Sequence, residues 1–89
     1  MFDSGVINAG RLVAHIRKMA ENDANTLSGT DASDEYTTGM YVGSLLSLAG
    51  IAHGIGCTGL SAAIELAVDR HSWPDDAELA LLGVAPARG

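Results

Sequence analysis

Apolar residues recur at three- and four-residue steps through Val6, Leu12, Val13, Ile16, Met19 and Ala20, the spacing that lines side chains along one face of an α-helix. Asp3, Ser4 and Asn8 stand before or within this run, and each can accept from the orphan amides of a first turn, so a helix is expected to begin among them. Arg11, His15 and Lys18 fall at i, i+4 and i+7, a basic stripe beside the apolar one, with Arg17 close to it. The pattern then lapses. From Glu21 to Glu35 the chain carries five acids, no base and several turn formers, which predicts an acidic loop over residues 21–35.

A second helix is predicted from about Asp34 to about Ile55, capped by Asp31 or Ser33, with Asp34 and Glu35 favouring its positive end. Its apolar residues (Tyr36, Met40, Tyr41, Val42, Leu45, Leu46, Leu48, Ile51, Ile55) occur on every side of the helix. Such a helix is either the central element of a bundle or a membrane span. Gly39 with Gly43, and Gly50 with Gly54, form two small-xxx-small pairs suited to close helix contact. The glycines around Cys57 predict a tight turn. A third helix follows, with Leu60, Ile64, Ala67 and Val68 on one face, Thr58 or Ser61 as its cap, Arg70 and His71 near its end, and Pro74 as its stop. The Ser72-Trp73-Pro74-Asp75 stretch reads as the start of a short fourth helix, with Pro74 in its first turn, carrying Leu79, Leu81 and Leu82 and ending at Gly83. The tail over 84–89 is expected to fray.

These elements predict an all-α fold: one small, compact bundle of three main helices plus a short C-terminal helix, spanning residues 1–89 as a single domain. At 89 residues the chain has room for one core, and with aromatics at only 4% that core must be built from Leu, Ile, Val, Met and Ala. Small side chains bury little area each, so a homo-oligomer, with a dimer favoured, is expected to cover more of the apolar surface.

The formal charge of −6 repels phosphates and anionic membrane surfaces, so direct nucleic-acid binding is disfavoured. Cys57 is the only cysteine, which rules out an intramolecular disulfide and fits a reducing compartment. The first residues show no basic segment followed by an apolar run, and a soluble cytoplasmic protein is the expectation. The rival is a membrane-associated helical hairpin, because Tyr36 to Ile64 contains 29 residues without Asp, Glu, Lys or Arg. Helix-breaking glycines, His53 and acidic flanks oppose it.

Candidate chemistry is sparse. His53 and Cys57 are four residues apart, but two ligands are too few for a structural metal site, and neither a metal nor a cofactor is expected. A small helical enzyme or ligand-binding protein using Cys57 with a histidine is an alternative, although no base stands at a recognisable spacing. The Gly50–Gly59 run lacks the Lys-Ser/Thr ending of a phosphate loop. The expected function is therefore non-enzymatic: a protein-interaction module, of the small acidic inhibitor or adaptor type found in phages and mobile elements, that occupies a surface on a larger protein. Its expected partner-binding residues are Glu21, Asp23, Asp31, Asp34 and Glu35, facing a basic surface, together with Arg11, His15 and Lys18.

Overall fold

A computed structural model of the chain describes residues 4–84, with side chains described from residue 10 onward. Four helices follow one another: α1 (Ser4–Ser28), α2 (Glu35–Gly54), α3 (Thr58–Arg70) and α4 (Asp76–Leu81). The all-α bundle of three main helices and a short last one is thus the observed architecture. Asp3 and residues 85–89 of the tail expected to fray lie outside the described residues.

The acidic loop is much shorter than its composition implies. Residues 21–28 continue α1, and the connection to α2 is confined to residues 29–34. The physical reason is periodicity: Ala20, Ala24 and Leu27 extend the stripe begun by Ile16, and all four are buried. Burial of that stripe outweighs the modest helix propensities of Asn and Asp between them. Leu12 and Met19, expected on the same apolar face, stand instead at its exposed edge. After Ser28 the last turn tightens, with Gly29 N–H donating to Thr26 O and Thr30 N–H to Leu27 O.

Asp34, rather than Asp31 or Ser33, caps α2 by accepting from the Thr37 amide at 3.0 Å. The helix ends at a Schellman turn: Gly56 N–H donates to His53 O and Cys57 N–H to Ala52 O, with Gly56 at φ +89. Cys57 takes the N-cap position of α3 without a side-chain bond, so neither Thr58 nor Ser61 serves there. Pro74 does not end α3. The helix stops at Arg70, where His71 adopts the left-handed conformation at φ 57, and Pro74 sits before the cap of α4, not inside its first turn. Asp75 forms a capping box with Glu78, and Gly83 at φ +79 terminates α4 as the sequence predicts.

Helix α2 packs on both α1 and α3, which touch each other far less. The core joins Ile16, Ala20 and Leu27 of α1 to Leu45, Leu48, Ala49 and Ala52 of α2 and to Leu60 and Ile64 of α3. Among the described residues, six of the thirteen buried apolar side chains are alanines, so the layer between helices is thin. The molecule measures 48 × 28 × 20 Å, and 20 Å is about two helix diameters. Helix α2 is thus the central element, as its apolar residues predict, but among the described residues only one of its faces is buried.

Candidate functional site

The uncovered face of α2 is the most unusual surface of the chain. Tyr36 is 82% exposed, and Met40, Leu46, Ile51 and Ile55 are about half exposed. None of the positions from Tyr36 to Gly54 is Asp, Glu, Lys or Arg. At 100° per residue, Tyr36, Gly43, Ser47, Gly50 and Gly54 form the middle of this face, with Met40 and Ile51 along one edge and Gly39 and Leu46 along the other. A side chain added at Gly39, Gly43, Gly50 or Gly54 would meet nothing within 4 Å. The two small-xxx-small pairs, suited to close helix contact, meet no described neighbour and look outward.

Helix α1 continues the patch. The Ser44 hydroxyl donates to the Asp23 carboxylate at 2.6 Å, fixing one edge of α1 against the Met40–Ile51 edge of α2. Leu12 and Met19 stand on that same edge of α1, eleven and four residues before Asp23, and both are exposed. Seven large apolar side chains thus share one charge-poor surface, beyond the scattered exposure normal for a monomer.

A second feature is a cleft of about 420 Å³ at the start of α3, lined by Val13 and Arg17 of α1, the Gly56–Leu60 backbone, and Leu82 to Val84. Its wall depends on Gly59: a Cβ there would lie 2.3 Å from the Leu82 carbonyl oxygen, so only glycine admits that approach. Cys57 faces this cleft and is half-buried. His15, His53 and His71 are all exposed, and none of them lines it. Among the described residues lining this cleft, none is a histidine. Among the described residues no group of three or more His, Cys, Asp or Glu could hold a metal. No described helix is long and apolar enough to cross a membrane, the turn at Gly56 having divided the uncharged stretch.

The charged residues singled out in the sequence are dispersed. Asp31 accepts from the backbone and hydroxyl of Ser33, both at 2.9 Å, and Asp34 accepts from Thr37. These hydrogen bonds, led in each case by the backbone amide, hold both carboxyls below the ordinary aspartate value. Glu35 opens α2 beside them, whereas Glu21 and Asp23 lie within α1. Arg11, His15 and Lys18 form an exposed stripe on α1, as their spacing predicts. Lys18 stands ten residues, about 15 Å, before the end of α1. The stripe and the Asp31–Glu35 cluster are thus at separate places. Arg70 pairs with Glu78, tying the end of α3 to α4.

Compared with known proteins, the chain matches no family model, no curated protein and no solved structure. Its class is defined by fold and surface: a small all-α protein with an uncovered apolar helix face.

Proposed function

We propose that this protein is a non-enzymatic interaction module whose working surface is the outer face of α2 with Leu12 and Met19 of α1. The supporting observation is that Tyr36, Met40, Leu46, Ile51 and Ile55 remain exposed on a helix without a charged residue between Tyr36 and Gly54. Water-exposed apolar surface of this extent is unfavourable by roughly 25 cal/mol per Å², and association with another chain recovers that free energy. The acidic residues have a different role in this reading. Asp31 and Asp34 shape the turn before α2, Asp23 clips α1 to Ser44, and the net charge keeps a sticky surface from aggregating. Contact is made by the apolar face.

A photo-reactive residue in place of exposed Ser47, irradiated in the native host, tests this directly. A discrete covalent adduct is expected at position 47, and none of comparable yield when the same group replaces exposed Glu65 on α3. Equal labelling at both positions would remove the proposal.

A further inference from the structure

We infer that the chain covering this face is a second copy of the same protein, with the two α2 helices antiparallel about a two-fold axis beside Leu46 and Ser47. The inference rests on the interaction reading above and names its partner.

An isologous interface must be self-complementary: where residue i meets j, residue j meets i. The outer face of α2 has this property in its spacing. Centring an antiparallel pair beside Leu46 sets Gly43 against the partner's Gly50 and Gly39 against the partner's Gly54. Both small pairs then fall where the backbones come closest. The same register brings Leu46 beside the partner's Leu46, and Met40 and Tyr36 to within one helical turn of the partner's Ile51 and the partner's Gly54, the latter a position with no side chain. Among the described residues of one chain those glycines have no neighbours, although glycine weakens a helix interior relative to alanine. A close α2–α2 contact supplies the packing reason that the monomer lacks.

Area and charge agree. Seven large apolar side chains at 39% to 82% exposure, each offering roughly 100 Å², bring the patch near the roughly 800 Å² per partner of a standard stable interface. The thin, alanine-rich core gains from that extra burial. Antiparallel packing also carries the acidic start of α2, Asp34 and Glu35, toward the partner's His53, and the positive end of one helix toward the negative end of the other. A parallel pair would set acids against acids.

Sedimentation equilibrium of the purified chain tests the pairing, and cross-linking tests its direction. The mass should rise with concentration to twice 9.1 kDa. Leu46→Glu, which places two carboxylates beside the axis, should weaken dimerisation by roughly 100-fold or more while leaving the helical circular dichroism of the chain intact. Gly43→Ala with Gly50→Ala gives opposed signs: a higher melting temperature for the dilute monomer, yet a dimer weakened at least about tenfold because the new methyls separate the helices. Retention of wild-type affinity by that variant would refute the close contact.

For direction, Met40→Cys and Ile51→Cys are made separately in a Cys57→Ser background. Along the helix axis identical sites on the two chains would lie about 14 Å (position 51) and about 20 Å (position 40) apart in the antiparallel pair, so a cross-linker too short for either span should join only a mixture of the two variants. Cross-linking within either variant alone would show a parallel pair and overturn the arrangement. A monomer at every concentration would overturn the self-pairing, while a foreign adduct at position 47 in the host would leave the interaction reading standing.

Discussion

Leu45 and Leu46 are neighbours of the same residue type on one helix, yet Leu45 is fully buried between α1 and α3 whereas Leu46 is 52% exposed. The inner face of α2, with Leu45, Leu48, Ala49 and Ala52, is packed by two helices and specifies the fold. The outer face has the same apolar chemistry and, among the described residues, no neighbour. Composition therefore does not separate a residue that holds this molecule together from one that presents it to another. The number of elements available to cover a helix separates them, and three helices can bury only one side of α2.

That contrast is open to direct attack. Leu45→Ala should lower unfolding stability by about 2–5 kcal/mol, since a fully buried leucine leaves a cavity the alanine-rich surroundings fill poorly. Leu46→Ala should stay within about 0.5 kcal/mol in dilute solution, where the chain is alone. Urea denaturation of both variants measures the difference, and equal losses would mean that Leu46 is packed within the monomer. A pair of glycines sharpens the same distinction. Gly59→Ala should destabilise by about 1–3 kcal/mol because its methyl meets the Leu82 carbonyl, whereas Gly43→Ala should stabilise by up to about 1 kcal/mol. If both changes had the same sign, the open surroundings of Gly43 would be wrong.

The smallest expected effect acts on both faces at once. The Asp34 carboxyl caps the start of α2 and is held below its ordinary value of about 3.8 by the Thr37 amide. A depressed acid stabilises the fold above its unfolded value and ceases to do so as pH falls through its folded value, so loss should begin below about pH 4 and grow with further acid. Asp34→Asn keeps a cap that accepts the same bond but cannot titrate. Thermal melts between neutral and acid pH should show a shallower acid slope for that variant, and an unchanged slope would assign the acid response to other carboxyls.

Much of this architecture is legible in the residues. Asp34 and Glu35 mark the start of α2, Gly56 its end, and Gly83 the end of α4, because left-handed turns and helix starts are local chemistry, although local chemistry alone does not choose Asp34 over Asp31 or Ser33 as the cap. The end of α1 was hidden by composition. Five acids between residues 21 and 35 read as solvated loop, although Ala20, Ala24 and Leu27 carried the helical period onward, and burial on that period prevailed. The outer face of α2 was hidden for another reason. A helix apolar on all sides looks surrounded, and nothing local to Tyr36–Gly54 states how many neighbours it will have. Gly59 looked like one more turn glycine. Its role arises from Leu82, 23 residues later, and such an approach leaves no mark in local spacing.

That approach has a bearing on how the chain resists cleavage. Leu79 is buried and the Leu82 carbonyl closes over the base of α3 at Gly59. A chain broken off after Arg70 would keep its main helices and lose that closing piece, leaving Leu60 and the Gly56–Gly59 turn open to proteases. Residues 71–84 act as a latch on the bundle, and a truncated product should be recognisable by early cleavage at that turn.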